Sequence, residues 1–442
     1  MKIQLSDHFT YKRLLRFVIS PVFMMIFSSL YSIVDGFFVS NYVGKTQFAA
    51  VNLIMPVIMA ISTVGFMLGT GGSAVVSITL GTGKKELANR YFSMLVYTAA
   101  IAGIVLSALG FIFVRPISIL LGASGELLES CVLYGRILFV GETVFILQNV
   151  FQSLLITAER PQLSFTVSVC AGITNMVFDF LFVAVLPFGL AGAAAATVMG
   201  QLVGGLIPLL YFIRPNSSLL QLGKTSFYGK KLLDACVNGS SEMVSNLSVS
   251  IVSVLFNFQL MKLVGENGVA AYGIIMYINF IFMGIFMGYS LGSAPIVSFH
   301  YGAGNTAELQ NLFRKSLVLI AGSSMILTAL AELTARPLVY IFASYDTELF
   351  EMTCHGFMVY SLAFLFMGIN VWGSSFFTAL GNGGISAAIS FLRTLLFQII
   401  FILLLPAIWG IDGIWLSVVF AEVCAIVVTG TFLVLKKKTY HY

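Results

Sequence analysis

The sequence predicts an all-α polytopic membrane protein, with twelve transmembrane helices in two six-helix lobes related by a pseudo-twofold axis along the membrane normal. Of its 442 residues, 59% are hydrophobic and only 9% are charged, and the mean hydropathy is +0.99. The apolar stretches are long enough to cross about 30 Å of hydrocarbon at about 1.5 Å per residue. The two halves of the chain also repeat the same residue pattern. Together these observations exclude a soluble globular protein.

Apolar runs bounded by glycine, proline and charged residues define the twelve spans. They are predicted at 14–42, 52–80, 91–114, 131–156, 162–186, 190–213, 236–262, 269–298, 313–335, 351–379, 385–408 and 412–435. An even number of spans puts both termini on one side of the membrane. Seventeen of the 23 Lys and Arg residues lie in segments on that side, five lie on the other, and Arg393 falls inside the eleventh span. Because cytoplasmic segments are enriched in basic residues, both termini are predicted to be cytoplasmic, in a multi-pass protein of the cytoplasmic (inner) membrane.

An internal duplication divides the chain in two. At an offset of 221 residues, Gly81 and Gly83 align with Gly302 and Gly304, and Arg115-Pro116 aligns with Arg336-Pro337. Six spans return the chain to its starting side, so the halves have the same orientation. The predicted units are a first lobe at 1–213, a cytoplasmic linker at 214–235 and a second lobe at 236–442.

Several function classes are excluded by what the sequence lacks. The basic residues flank the spans and form no single basic surface, so no nucleic-acid partner is expected. The five cysteines are dispersed, the four histidines are far apart, and no catalytic or metal-ligand spacing is present. The segment Gly81–Lys85 lacks the first glycine and the Ser/Thr of a phosphate-binding loop. We therefore expect a transporter with no cofactor, not an enzyme, driven by a coupling ion and not by ATP.

Six acidic residues lie within the predicted spans, where a carboxylate is costly and usually functional. They are Asp35, Glu142, Asp179, Glu242, Glu332 and Glu422. Counting along the helices places Asp35, Asp179 and Thr197 at nearly the same depth, and Asn175 lies one turn before Asp179. Such an all-oxygen set can hold a hard cation such as Na⁺ or share a proton. Asp35, Asn175, Asp179 and Thr197 are thus the predicted cation-coupling residues, and the metal ligands if the ion is Na⁺.

The other buried charges have different predicted roles. Glu142 lies near mid-depth and is expected to line the cavity. Glu242, near the start of the seventh span, is predicted to be either a gate or an interface anchor. Glu422 and Arg393 are interpreted as a structural pair between adjacent spans, and Glu332 as a solvated acid near the outer boundary.

Four stretches resemble the multidrug and toxic compound extrusion (MATE) transporters, and the resemblance covers essentially the whole chain. They are Ser32-Ile-Val-Asp-Gly36, Asn175-Met-Val-Phe-Asp179, Gly189 to Thr197, and Ser241-Glu-Met243. The resemblance implies efflux of organic, often cationic, compounds in exchange for inward-moving Na⁺ or H⁺, with a first-lobe cation site at Asp35, Asn175, Asp179 and Thr197. One departure is Phe180, where such proteins frequently have a proline that would allow the fifth span to bend.

Candidate substrate-binding residues are polar, methionine and aromatic side chains, which suit varied flat cations. They are Glu142, Gln148, Gln152, Asn257, Met276, Met283, Met287, Asn370 and Trp372. A flippase for lipid-linked saccharides is the alternative with the same architecture. Its pyrophosphate substrate would require basic residues in the cavity, whereas the buried charges here are six acids and one arginine. The expected partners are therefore small organic cations and the lipid bilayer, and a single chain is expected to be sufficient.

Overall fold

The computed structural model describes residues 3–344 and 346–442, apart from the side chains at 40, 41 and 45. The first half contains α1 (Tyr11–Tyr42), α2 (Lys45–Gly81), α3 (Lys85–Leu120), α4 (Gly125–Thr157), α5 (Pro161–Asp179), a π-helical segment (Phe180–Val185) and α6 (Gly189–Ile213). The second half contains α7 (Gly229–Leu263), α8 (Glu266–Gly302), α9 (Thr306–Ala343), α10 (Thr347–Ser361), α11 (Phe364–Ala379), α12 (Gly383–Phe391), a π-helical segment (Leu392–Leu396), α13 (Phe397–Trp409) and α14 (Ile411–Tyr440). The all-α membrane fold is confirmed over these residues, which contain no strand.

The number of spans agrees with the prediction. Eleven helical stretches are long and apolar enough to cross a membrane, and α10 with α11 makes a twelfth if the pair is counted as one span. This pair bends by 50°, whereas the sequence predicts an uninterrupted span at 351–379. Neither glycine nor proline marks the break at Leu362 and Ala363, where Ala363 N donates to Tyr360 O in a tighter turn. A sequence pattern therefore has no signal for this bend.

Both chain termini lie on one face of the molecule, which we call the terminus face. The side chain of Asn311, near the start of α9, donates to Phe9 O at 3.0 Å. Its neighbour Gln310 donates to His441 O at 3.2 Å. One end of α9 thus contacts both ends of the chain, as an even number of spans requires.

The two halves make close backbone contacts near the terminus face. A Cβ atom at Gly81 of α2 would overlap the Phe299 carbonyl oxygen of α8, and one at Gly302 would overlap the Ile78 carbonyl oxygen. Gly81 and Gly302 are equivalent under the 221-residue repeat. Only glycine permits two helix backbones to approach so closely. This pair therefore joins the halves symmetrically at that face.

The segment before α1 also links the two halves at the terminus face. Leu5 N donates to Glu159 Oε1 at 2.7 Å in the first half. Phe9 N donates to Glu308 Oε1 at 2.9 Å in the second half, and His8 Nδ1 pairs with Glu308 Oε2 at 2.6 Å. Sequence analysis did not predict this strap, because a short polar segment carries no pattern that identifies its binding surface.

The connection between the halves is shorter than the predicted linker at 214–235. The helix α7 begins at Gly229, ahead of the predicted second-lobe start at Cys236. The preceding residues pack on α3, where Gln221 N donates to Asn89 Oδ1 at 2.9 Å and Gly223 N donates to Ser93 Oγ at 3.0 Å. The polar residues after Gly229 were predicted to belong to the linker because they precede the apolar run, but in the structure they form the first turns of α7.

Candidate functional site

Two glycines bring α1, α5 and α6 together beside the predicted coupling residues. A Cβ atom at Gly172 of α5 would lie 2.6 Å from the Phe27 ring and 3.0 Å from the Tyr31 ring of α1. A Cβ atom at Gly200 of α6 would lie 2.9 Å from Ala171 O of α5 and 3.0 Å from Asn175 Cβ. The helix α5 is therefore held tightly between α1 and α6, with Gly172 one turn before Asn175 and two turns before Asp179.

Three of the four predicted coupling residues lie together in this three-helix junction. The side chains of Asp35, Asn175 and Asp179 are close enough to interact with one another. Asp179 is fully buried, Asn175 is 4% exposed, and Asp35 is half-buried. Although they lie near one another, the buried oxygens of Asp179, the amide atoms of Asn175 and Oδ1 of Asp35 make no hydrogen bond of standard length and angle among the described residues. Buried polar atoms are normally satisfied, so this cluster is a candidate for binding a ligand.

Thr197 on α6 is the fourth predicted coupling residue. It is half-buried, and its hydroxyl donates to Ala193 O at 3.1 Å, so the lone pairs of Oγ1 are available to a cation. Carboxylate, amide and hydroxyl oxygens are the donors that hard cations prefer. The residues present thus fit Na⁺, and the two carboxylates fit a shared proton equally well.

The α-helical geometry of the fifth span ends directly after Asp179. Residues Phe180–Val185 form a π-helical segment, in which Leu186 N donates to Leu181 O at 2.8 Å. Such wide turns are rare and often occur at functional sites. Although Phe180 replaces the expected proline, the hydrogen-bond ladder therefore still changes at the same point. The sequence carries no pattern that predicts a π-helical turn.

Two tyrosines that sequence analysis did not select also face the acids. Tyr31 is one helical turn before Asp35 and lies within electrostatic range of it. Tyr134 of α4 is fully buried and lies within electrostatic range of both Asp35 and Asp179. Spacing along α1 could have identified Tyr31. Tyr134 is brought to the site only by the packing of α4, which no local pattern reveals.

The second half contains a different charge cluster, and here the predicted structural pair is confirmed. Arg393 Nε donates to Glu422 Oε1 at 2.8 Å. Asn370 Nδ2 donates to Glu422 Oε2 at 2.7 Å and to Glu422 O at 3.0 Å. Glu422 and Asn370 are almost completely buried. Both carboxylate oxygens of Glu422 thus have partners inside the bundle.

The two other predicted acids of this half lie elsewhere than expected. Glu242 lies well inside α7 and not near its start, because α7 begins at Gly229, and it is within electrostatic range of Arg393. Its gating role stays a prediction. Glu332 was expected to be solvated, but it is half-buried and accepts a hydrogen bond from Ser361 Oγ at 2.6 Å. Ser361 is the last residue of α10, directly before the bend.

The candidate substrate-binding residues fall into two groups. Some are packed inside the helix bundles in this conformation; they are Glu142, Gln148, Asn370 and Trp372. Glu142, which was expected to line the cavity, is only 1% exposed, and Ser62 Oγ of α2 donates to its carboxylate at 2.8 Å. Others are at least partly exposed; they are Gln152, Asn257, Met276, Met283 and Met287. Only the second group has exposed side-chain surface in this conformation.

Comparison with known proteins adds independent evidence. The family model described as MatE matches residues 21–181 and 243–404, which is well over half of the chain. The "Multidrug export protein MepA" of Staphylococcus haemolyticus (strain JCSC1435) is 22% identical over 419 residues, covering 94% of this chain and 91% of the relative.

Solved structures share the fold. One is titled "Outward-facing conformation of a multidrug resistance MATE family transporter of the MOP superfamily"; its TM-score is 0.93 at 23% identity, covering 99% of this chain and 98% of that one. Another is a MOP superfamily transporter from Pyrococcus furiosus Vc1 (DSM3638), with a TM-score of 0.91 at 22% identity and 98% of both chains covered. The prediction of a transporter and not an enzyme is thereby confirmed. With matches in both halves of its sequence, the chain belongs to the MatE family of transporters.

Proposed function

We propose that this protein is a secondary active antiporter that exports organic cations in exchange for Na⁺ or H⁺ by alternating access. The observation that carries the proposal is the cluster of Asp35, Asn175 and Asp179, whose buried oxygens make no hydrogen bond of standard geometry among the described residues. Two carboxylates at this depth are costly unless a cation or a proton compensates them. The names of the relatives, which are multidrug export proteins, support the same function.

Coupling in this proposal depends on the close packing of three helices. A cation at the cluster contacts side chains of α1 and α5, and through Thr197 it also reaches α6. Occupancy therefore favours whichever arrangement of these helices brings the oxygens together, and it shifts the conformational equilibrium only by its differential affinity for the two states. Exchange follows if the coupling ion favours the inward-facing state and the drug favours the outward-facing state.

The balance of buried charge supports cationic cargo. Among the described residues, Arg393 is the Lys or Arg that is buried inside the bundle, and its guanidinium is already paired with Glu422. Glu142 and Glu332 accept bonds only from neutral hydroxyls in the hydrogen bonds described. Buried acidic groups therefore outnumber buried Lys and Arg side chains, which favours positive solutes over anionic ones. An anionic substrate such as a lipid-linked saccharide would need free basic groups in the same region.

The central experiment is transport by purified protein in proteoliposomes, with a fluorescent cationic dye and an imposed Na⁺ or H⁺ gradient. We expect Asp35→Asn and Asp179→Asn each to abolish gradient-driven transport, because a side-chain amide neither ionises nor binds a proton near neutral pH. Glu332→Gln is the matched control, since it also removes an acid within a span, and it should retain transport. Normal gradient-driven transport by both aspartate variants would contradict the coupling assignment.

The proposed orientation has the terminus face in the cytoplasm, in the inner membrane, with one chain as the working unit because it holds both lobes. Single cysteines at Lys84 and Lys230, in a cysteine-free background, should then react with an impermeant reagent only from the cytoplasm. A cysteine at Glu348 should react only from outside. Glu348 is preferred to Asp346, because Asp346 Oδ1 caps α10 by accepting from Glu348 N at 2.9 Å. External labelling at Lys230 would contradict this topology.

A further inference from the structure

A cavity of about 820 Å³ lies on the terminus face, between the start of α5 and the end of α6. It is separated from the proposed coupling cluster by nearly the whole length of α5, about 28 Å for 19 residues. Its polar side is lined by Arg160, Tyr211, Arg214 and Ser217. Nothing in the proposed transport cycle uses these residues.

The polar side of the cavity carries positive charge and unpaired donors. The residues that line it include two arginines and no acidic side chain. Arg160 donates from Nη2 to Ser217 Oγ, but its Nε is buried and without a hydrogen-bond partner in the described part of the chain. The Tyr211 hydroxyl is likewise buried and unpartnered there. Guanidinium and hydroxyl groups that line one cavity match a phosphate group.

The neighbouring helix ends favour the same ligand. Pro161 occupies the first turn of α5, and no side chain caps this helix. The positive end of the α5 dipole therefore reinforces the field of the arginines. The loop after α6 is held by Asn216, whose Nδ2 donates to Tyr211 O and Arg214 O, both at 3.2 Å. The site is thus built on a fixed scaffold.

The other side of the cavity is apolar and open. Ile207 and Leu210 of α6 line it and are 42% and 51% exposed. In a membrane-spanning helix such a surface lies against acyl chains. The cavity therefore joins a basic, hydrogen-bonding part to a lipid-facing wall at one end of the spans. A free phosphate ion would use only the first of these two parts.

We infer that this cavity binds an anionic phospholipid of the membrane leaflet on the terminus face, with its phosphate between Arg160 and Arg214 and its acyl chains along α6. Basic pockets between transmembrane helices are a recurring site for such headgroups. The inference does not depend on the transported substrate or the coupling ion. It is specific to the first half, because the positions 221 residues after Arg160, Tyr211 and Arg214 are Gly381, Phe432 and Leu435.

The test is lipid binding by the purified full-length protein in detergent, measured by native mass spectrometry with phosphatidylglycerol or phosphatidylcholine. The double variant Arg160→Gln/Arg214→Gln should bind phosphatidylglycerol roughly 25-fold more weakly, about fivefold for each arginine that contacts the phosphate. Lys437→Gln/Lys438→Gln is the matched control. It removes two exposed charges from the same face in the other half, at the positions equivalent to Asn216 and Ser217, and it should bind like the wild type.

Each outcome decides the inference. A double variant that binds phosphatidylglycerol like the wild type would overturn it, and so would equally strong binding of phosphatidylcholine. Inorganic phosphate is tested separately by thermal melting; if it protects as well as phosphatidylglycerol at equal concentration, the occupant is a free anion and the lipid assignment fails. If the double variant does not fold, the exposed single variant Arg214→Gln decides, with an expected loss of about fivefold.

Discussion

The two lobes bury charged side chains in different ways, and the residues at equivalent positions differ accordingly. In the second lobe, Glu422 is bonded by Arg393 and Asn370. The equivalent residues of the first lobe, 221 positions earlier, are Gln201, Gly172 and Asn149. The first lobe thus lacks this ion pair and instead holds Asp35 and Asp179, which have Phe256 and Ile400 as second-lobe equivalents.

Gly172 shows why the two arrangements exclude each other. In the first lobe this position lies against Phe27 and Tyr31, and even a Cβ atom would be 2.6 Å from the Phe27 ring. The glycine allows α1 to approach α5 and to bring Asp35 beside Asp179. An arginine at this position, as at Arg393, would separate the helices. We infer that after duplication the second lobe kept a permanent ion pair, whereas the first lobe kept carboxylates that bind and release a cation or a proton, which we call exchangeable charge.

The largest expected effect tests whether the ion pair of Arg393 and Glu422 stabilises the second lobe. Arg393→Met should reduce the free energy of unfolding by about 3–5 kcal/mol, because it leaves the buried Glu422 carboxylate without its cation. The double variant Arg393→Met/Glu422→Gln should be close to the wild type. Glutamine keeps an acceptor for Asn370 Nδ2, and it is the residue that the first lobe has at position 201. Denaturant titration in micelles measures both. Equal loss of stability in the single and double variants would contradict a charge-specific role.

Smaller effects are expected from substituting the two asparagines: Asn370→Ala should affect mainly stability, and Asn175→Ala should affect mainly the ion dependence of transport. Asn370→Ala should lower the free energy of unfolding by about 1–3 kcal/mol and leave the ion dependence of transport unchanged, because its amide satisfies a buried carboxylate. Asn175→Ala should change stability by less than about 1 kcal/mol, since its amide atoms make no hydrogen bond of standard geometry among the described residues. It should instead raise the ion concentration for half-maximal transport by about tenfold. The same phenotype in both variants would remove the distinction between the lobes.

The sequence predicted most of this comparison, and the parts that it missed have a common cause. Hydropathy located the spans, and the 221-residue repeat identified the pairing of the lobes, because both depend on patterns along the chain. Depth counting selected Asp35 and Asp179, since position along a helix fixes depth. Tyr134, the π-helical turn after Asp179 and the bend at Leu362 were missed. Each of these depends on how one helix packs against another, which a single helix pattern does not encode.

The smallest effect concerns competition between Na⁺ and protons, and it tests whether exchangeable charge is confined to the first lobe. A protonated carboxyl is neutral and cannot hold Na⁺ through that oxygen, so Na⁺ must displace any proton bound to Asp35 or Asp179. Lowering the pH should therefore weaken the apparent affinity for Na⁺, by up to about tenfold per pH unit, or about 1.4 kcal/mol, where one proton is released for each ion bound. Calorimetry between pH 6 and pH 8 should show one Na⁺ per chain, because Glu422 in the second lobe is already paired. Glu332→Gln should keep this pH dependence, and Asp179→Asn should remove the binding. An affinity independent of pH would exclude a site shared by the two ions, and two Na⁺ ions per chain would mean that the second lobe also carries exchangeable charge.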